Sequence, residues 1–556
     1  MAEGSSLLQQ LDAGLEQLFA GWSIYTTLLC LGLVTYLLYP VFFTRDPDTH
    51  PLLLARQCSP SYVRQPGESA VYRSLETPLS YPLKSGLNVK EPGAPRWAAG
   101  KDGDLRDVWK KALRGPIDDE GKPAGEPGKI YTVLGSEGVT EHRLSDVTKE
   151  INAVGEYLVQ HGAKRVAIHV PNSIEFLVTL FAASFYSFVP VIVLQEQSSE
   201  ALSDVLKTTH ADTLITAAGS VSLQALLEQH PGLKQVIWVV ERTSRHMDWN
   251  EVPEGVGGKA EIAVWHDIIE ERKSLAPTGL PTYNVEKPPP NVFAVSQGAL
   301  TKGYQVGEFT QHNIVAAIAA QLSVLPRPHR INSSDMLLSL APLSSSYPLT
   351  IALAALYSNA SLALTSVSGE KVPYDAAFRR VKPTIVIAAP STIREACKTF
   401  REQPRGMLQK YAIWQQTKSL AEGIMPKLSS EHPRPRLIYT FESSDNRADP
   451  LTLAELEDLR LLTGARTAYA FTDAKVAGAI AQTSIYDYRR SEDGEQAAFG
   501  GPLSSVEFKL VDENGHKNSD EKALGKLVVT GPAVVGGETK VDRFMTVTDF
   551  NTLAYA

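Results

Sequence analysis

The sequence predicts an α/β protein, with an apolar helix near its N-terminus and parallel sheets covered by helices beyond it. Three observations carry this expectation. Apolar runs of strand length alternate with helical patterns from about Lys129 onward, the mark of a parallel sheet with crossover helices on both faces. No charged residue occurs between Ile24 and Phe43. The 556 residues are 43% hydrophobic, enough for two or three packed domains with sizeable cores.

The uncharged run is dominated by Leu, Tyr, Val and Phe. As a helix it is roughly 30 Å long, about one hydrocarbon core, and it predicts a transmembrane anchor over residues 23–44 after an N-terminal segment 1–22. A cleaved signal peptide needs a basic leading region, whereas Met1 to Ser23 holds Glu3, Asp12 and Glu16 and no Lys or Arg. A buried core helix is ordinarily shorter or shows a polar face. Trp22, Tyr36 and Tyr39 are candidate interfacial residues, and Arg45, Arg56 and Arg64 lie only on the C-terminal side. The positive-inside rule then gives a single-pass membrane protein with its main domain in the cytosol.

Residues 45–128 are rich in Pro, Gly and charge and read as an extended arm with a loop. A first α/β subdomain is expected over 129–290. Val147, Ile151, Val154 and Leu158 recur at helical spacing, with Ser145 or Asp146 as cap and Gly162 as stop. Strands are expected at Arg165–Val170, Val191–Leu194, Asp212–Ala217 and Gln235–Val240, and helices at Ile174–Phe188, around Leu202 and at Leu223–Leu227. Ligands in such folds sit at the carboxyl ends of the strands. Lys287-Pro-Pro-Pro290 breaks the pattern and marks a boundary.

Beyond it, the apolar strand Asn291–Val295 runs into Ser296-Gln-Gly-Ala-Leu-Thr-Lys-Gly303. Small residues with a Lys after a strand let backbone N–H groups and an ammonium meet a phosphate. The loop lacks the Walker spacing, and an ordinary surface turn has the same composition. Thr310-Gln-His-Asn313, Ala341-Pro-Leu-Ser-Ser345, Lys382-Pro-Thr-Ile-Val-Ile-Ala-Ala-Pro-Ser391, Arg436-Leu-Ile-Tyr-Thr-Phe-Glu-Ser-Ser444, Tyr469-Ala-Phe-Thr-Asp473, Gly500-Gly-Pro-Leu503, Gly525-Lys-Leu-Val-Val-Thr-Gly-Pro532 and Thr548-Asp549 follow in turn. In this order the segments resemble the motifs of the adenylate-forming, or AMP-binding, family of acyl-CoA synthetases. Within it, the N-terminal apolar run and long arm look most like the long-chain fatty acyl-CoA synthetases.

The resemblance implies the family's large N-terminal domain, with a second α/β subdomain over 291–485 and a β-rich subdomain over 486–556. The chain ends at Ala556, where the family begins a mobile lid that carries a catalytic lysine, so the expectation is a chain without that lid. By resemblance, Ser296, Gly298, Thr301, Lys302 and Gly303 face the phosphates of ATP, and Ser443, Tyr469, Ala470 and Phe471 line the nucleotide site. Thr472 contacts the α-phosphate, Asp473 helps hold Mg²⁺, and Asp549 takes the ribose hydroxyls. CoA is the implied second substrate.

The departures from the family are specific. The loop ending at Gly303 shares only Lys and Gly with the family's nine-residue loop unless a gap is allowed, and fewer glycines make a less permissive backbone. Asp473 replaces a Glu and reaches one methylene less far toward a cation that tolerates little misplacement. Ser345 replaces a His, and Phe441 to Ser444 replace a Gly pair. Each change reads equally as drift within a packed domain.

Other functional classes find little support. The 54 basic and 62 acidic residues give a net charge of -8 with no basic stripe, which argues against nucleic acid as a partner. Cys30, Cys58 and Cys397 form no Cys-x-x-Cys pair, so neither a disulfide framework nor a zinc site is expected. His169 in a strand is expected to be a bonded core residue. Three readings stand. The first is a membrane-anchored acyl-CoA synthetase-like protein of lipid metabolism, favoured at the endoplasmic reticulum. Its ligation is reduced or lost, and it binds nucleotide, fatty acid or acyl-CoA, with the lipid bilayer and other membrane lipid-metabolic proteins as partners. The second is an active ATP-dependent fatty acid–CoA ligase with a substituted site. The third is an interaction platform in which Phe441, Tyr469 and Phe471 fill the nucleotide volume.

Overall fold

The computed structural model describes Ala13, Gly14, Glu16 and residues 20–43 and 45–556, apart from 91–93, 96, 119–121, 135–137, 196–197, 241–259, 284–286, 298–302, 366–380, 427–433, 446–449, 489–495, 514 and 519–522. The chain divides into two units, Met1–Asp48 and Thr49–Ala556.

In the first unit, residues Ile24–Phe43 form the expected helix. Ser23 begins it, its Oγ 3.1 Å from Thr26 Oγ1. Ile24, Tyr25, Leu28, Leu29, Leu31, Leu33 and Tyr36 are all exposed. The spanning anchor needs correction, however: among the described residues no helix is long and apolar enough to cross a membrane.

In the second unit, the described strands form three sheets. The N-terminal and C-terminal parts of this unit share a six-stranded sheet: β1 (Cys58–Pro60), β2 (Tyr72–Ser74), β19 (Glu507–Val511), β20 (Leu524–Thr530), β21 (Glu538–Val547) and β22 (Leu553–Tyr555), in that order. A nine-stranded sheet holds β3 (Ile130–Leu134), β4 (Gly138–His142), β12 (Met336–Ser339), β13 (Ser361–Thr365), β14 (Ile385–Ile387), β15 (Leu437–Ser443), β16 (Arg466–Thr472), β17 (Ala481–Gln482) and β18 (Gly501–Pro502). Its order is β18-β17-β16-β15-β14-β12-β13-β3-β4. A seven-stranded sheet holds β5 (Arg165–His169), β6 (Val189–Ile192), β7 (Thr213–Ala217), β8 (Gln235–Val239), β9 (Glu261–Val264), β10 (Val292–Gln297) and β11 (Tyr304–Phe309), in the order β11-β10-β6-β5-β7-β8-β9.

Side-chain alternation explains the double winding. In β5, Val166 and Ile168 join the main core with residues of helices Leu144–Gln160 and Ile174–Tyr186. Ala167, between them, joins a separate cluster with Leu202 and Leu206 of helix Ser199–Thr209 and Leu226 of helix Leu223–Gln229. Both faces are thus apolar, as a parallel sheet requires. The strand order reverses around β5 in one sheet and around β12 in the other, which opens a crevice at the carboxyl ends.

His169 is 1% exposed, with Nδ1 2.9 Å from Thr216 Oγ1 and Nε2 3.1 Å from the Gln195 carbonyl. Burial lowers its pKa. The three cysteines are free thiols. The segment 45–128 is more ordered than its composition implied. Besides β1 and β2 it contains helix Leu105–Arg114, opened by a capping box at Asp104. Leu105, Val108, Trp109 and Ala112 are buried along one face of that helix, at the i, i+3, i+4, i+7 spacing of an amphipathic stripe. At the expected boundary near 290 the strands interleave: β3 and β4 belong to the nine-stranded sheet, while β10 and β11 complete the seven-stranded one.

Candidate functional site

β15 and β16 run parallel, with Ser443 opposite Thr472 at their carboxyl ends. Just beyond them the Ser444 N–H donates to the Thr472 carbonyl at 2.8 Å. Ser444 Oγ donates to Asp473 Oδ2 at 2.6 Å, and the Lys475 N–H donates to Asp473 Oδ1 at 2.9 Å. Thr472 Oγ1 donates to the Glu442 carbonyl at 3.0 Å. Arg543 of β21 donates from Nε to the Ser444 carbonyl at 2.9 Å, tying the six-stranded sheet to this corner.

Glu442, 1% exposed, is the charged side chain inside this strand end. The Tyr469 hydroxyl donates to its Oε1 at 3.2 Å and accepts the Leu451 N–H at 3.0 Å. Burial, with the Glu442 charge adding to it, raises the Tyr469 pKa well above the usual phenol value, so the hydroxyl keeps its proton. Alternation along β16 puts Tyr469 and Phe471 on one face, and Phe499 packs on both with ring centroids 4.9 Å away. Tyr555 of β22 meets Phe471 at 5.7 Å and Phe499 at 5.1 Å, both edge-on. Tyr469, Ala470 and Phe471 are fully buried, Thr472 is nearly so, and Ser443 is half-buried. Phe441 is partly buried beside Tyr347, centroids 5.6 Å apart.

The seven-stranded sheet brings β11 to the same corner. In the β10–β11 hairpin Ala294 faces Gly307. A Cβ at Gly307 would lie 2.8 Å from the Ala474 carbonyl oxygen, so β11 lies directly against the loop that follows Thr472 and Asp473. Ser296, at the end of β10, has a buried hydroxyl with no partner among the described residues. Gly303 is exposed where β11 begins. Gly298, Thr301 and Lys302 lie outside the described residues. Asp549 is exposed in the turn between β21 and β22, which Asn551 closes by donating its N–H to the Thr548 carbonyl at 2.8 Å.

Two of the quoted motifs act as clamps. Thr310 and Asn313 form a reciprocal capping box on helix Gln311–Val324, and Asn313 Nδ2 donates to the carbonyls of Pro532 and Val534 at 2.7 and 3.1 Å. Ser345 stands at the N-cap of helix Ser346–Tyr357 without a side-chain cap bond. Its neighbour Ser346 Oγ accepts the Gly478 N–H at 2.8 Å and donates to the Val476 carbonyl at 3.3 Å.

Sequence reasoning passed over Asn172. It is 2% exposed and sits between β5 and helix Ile174–Tyr186. Its Nδ2 donates to the carbonyls of Ser339 and Ala341 at 3.3 and 2.8 Å, and its Oδ1 accepts the Leu343 N–H at 2.7 Å. It therefore joins the carboxyl ends of the two large sheets. Glu442 stands inside one of the motif segments, where the resemblance gives it no role. The available signal was a carboxylate interrupting an apolar strand.

The residues fit the implied cofactors unevenly. An unpartnered Ser296 hydroxyl suits a phosphate oxygen. Asp473 Oδ2 accepts from Ser444 and Oδ1 from the Lys475 N–H, which leaves about half of the carboxylate's acceptor sites for Mg²⁺. Among the described residues no group of three His, Cys, Asp or Glu side chains could hold a metal ion. Tyr469 and Phe471 pack against Phe499, and Phe471 also against Tyr555.

Comparison with known proteins agrees with this layout. The model of the family described as AMP-binding enzyme matches residues 122–291 and 306–537. The Saccharomyces cerevisiae "Putative uncharacterized protein YHR045W" is 22% identical over 94% of this chain and 92% of its own. Among solved structures, a long-chain-fatty-acid-CoA ligase (FadD1) from Archaeoglobus fulgidus superposes with a TM-score of 0.59 at 14% identity, covering 85% of this chain and 86% of that one. The anthranilate CoA ligase AuaEII, in complex with anthranoyl-AMP, superposes with a TM-score of 0.57 at 17% identity, covering 84% of this chain and 79% of that one.

Proposed function

The chain belongs to the AMP-binding enzyme family and has the α/β fold of its acyl- and aryl-CoA ligases, and on that premise we propose a lipid-metabolic protein that binds nucleotide, fatty acid or acyl-CoA with ligation reduced or lost. One observation carries the reading. At the ends of β15 and β16 the side chains in the family's motif positions are bonded to one another: Tyr469 to Glu442, Asp473 to Ser444, and Phe471 to Phe499 and Tyr555. Side chains bonded to one another in the resting fold have fewer free donors and acceptors for ATP and Mg²⁺. Stabilisation of a developing phosphate charge needs preorganised donors, and losing them costs several kcal/mol. A long-chain acyl substrate accords with the exposed apolar helix Ile24–Phe43, which would attach the protein to a lipid bilayer, with the main unit in the cytosol and the endoplasmic reticulum as the membrane favoured.

A second reading, an active fatty acid–CoA ligase with a substituted site, is favoured by the unpartnered Ser296 hydroxyl at the phosphate loop. Fatty-acid-dependent exchange of pyrophosphate into ATP, measured with Mg²⁺ and a panel of chain lengths, separates the two. The first reading expects no exchange above a Lys302→Ala control in folded protein. Exchange above that control establishes the second.

A further inference from the structure

Helix Met407–Ala421 buries only Leu420. With Ile413, Leu420 packs into a small cluster against Leu461 and Tyr488. At 100° per residue the opposite side of the helix carries Met407, Leu408, Tyr411 and Trp414. These are 90%, 86%, 59% and 58% exposed, and the Tyr411 and Trp414 rings stack on each other at 5.8 Å. Large apolar side chains aligned on one exposed face mark an interaction surface.

Charge beside the stripe indicates the partner. A cavity of about 450 Å³ next to it is lined by Arg401, Arg405, Lys410 and Trp414, with Gln403, Pro404 and Ile413. Arg401 is paired with Asp458 through Nε. Arg405 lies over the Phe400 ring at 4.1 Å, and Lys410 has no partner among the described residues. Three cations therefore gather beside an aromatic and aliphatic ridge on a protein of net charge -8. Tyr and Trp with basic side chains at their flank match a membrane surface: the rings enter the headgroup layer and the cations meet phosphate and carboxylate groups.

We propose that helix Met407–Ala421 docks the main unit on a bilayer presenting anionic phospholipid headgroups. This site is separate from helix Ile24–Phe43 and does not rest on the reading of the ligase site.

The test uses the full-length chain and vesicles containing brominated phosphatidylcholine, with or without about a quarter phosphatidylserine, and reads the quenching of tryptophan emission. Comparing the unaltered chain with Trp414→Phe isolates the Trp414 contribution from that of Trp22 beside the N-terminal helix. The expected result is a quenched Trp414 component that requires phosphatidylserine, weakens at high salt and falls severalfold in Lys410→Glu. Equal quenching in the unaltered chain and Trp414→Phe overturns the proposal. Quenching indifferent to phosphatidylserine and to Lys410→Glu overturns the anionic requirement. If inorganic phosphate without vesicles produces the same change in Trp414 emission, the cavity is a free-anion site and the docking assignment fails. These side chains are exposed, so the variants leave the fold intact.

Discussion

Replacing Asn172 by Ala should loosen the Ala341–Ser345 loop selectively. The side chain supplies three hydrogen bonds in a site 2% exposed. The Ala341 carbonyl keeps a second donor, Ser339 Oγ at 2.7 Å, so the principal orphan is the Leu343 N–H. Each lost bond contributes about 1 kcal/mol net and a buried unsatisfied donor costs about 1–3 kcal/mol, giving a local loss of about 3 kcal/mol. That corresponds to roughly a hundredfold rise in the population of the opened loop. Native-state hydrogen exchange followed by mass spectrometry reads it directly, as exchange about a hundredfold faster in the peptide containing Leu343. Asn172→Asp keeps an acceptor for Leu343 but turns an anion toward two carbonyl oxygens, so it should be at least as damaging. Unchanged protection at Leu343, or an equal loss of protection in helix Ser199–Thr209, would refute the reasoning, because the bonds would then not hold the sheet ends together.

Three other substitutions have defined outcomes. Gly307→Ala places a methyl 2.8 Å from the Ala474 carbonyl oxygen, and relieving that overlap costs about 1–3 kcal/mol, read as a lower thermal transition. At the opposite ends of the strands, Arg436 Nη2 lies 2.6 Å from Asp335 Oδ2. Burial raises the Asp335 pKa, but hydrogen bonds from Arg436, Thr384 and the Asn332 N–H outweigh it and hold it below the usual value. Arg436→Met, which strands a nearly buried carboxylate, should cost about 3 kcal/mol. The pair's contribution is present above the unfolded carboxyl pKa of about 4 and is lost as pH falls through the folded value. The variant's deficit therefore shrinks in acid, as melting curves across that range would show. His169 has a lowered pKa from burial, so below about pH 6.5 the unfolded chain takes up a proton that the folded chain refuses. Stability falls with pH there, and His169→Gln should flatten that slope in denaturation series between pH 5 and 7.

Legibility in the sequence followed the range of the interactions. The strands from Arg165 to Val239 and the helices between them were readable because apolar alternation and helical spacing are local signals, accurate here to within about two residues. Helix Leu105–Arg114 was not, since its apolar stripe lies within a segment dominated by charge and flanked by Gly and Pro. Membership of β3 and β4 in the second large sheet was hidden too, because a pairing such as Leu362 with Ile130 leaves no trace in either segment alone. At the site, Ser296, Thr472 and Asp473 came from order along the chain. Glu442 as the partner of Tyr469, and Asn172 as the tie between sheets, depend on side-chain directions that only the folded strands define.

The six-stranded sheet has a consequence for biosynthesis. β2 pairs with β19, Tyr72 beside Phe508 and Arg73 beside Glu507, so the early strands of the main unit leave the ribosome long before their neighbour exists. At 5–20 residues per second that interval is on the order of half a minute. Throughout it Tyr72, whose ring ends stacked 5.3 Å from Phe508, and an open strand edge stay uncovered, inviting other chains to pair there. A stalled or truncated nascent chain would therefore be an aggregation hazard even with both large α/β layers already folded, and the cell must shield this edge until translation is nearly finished.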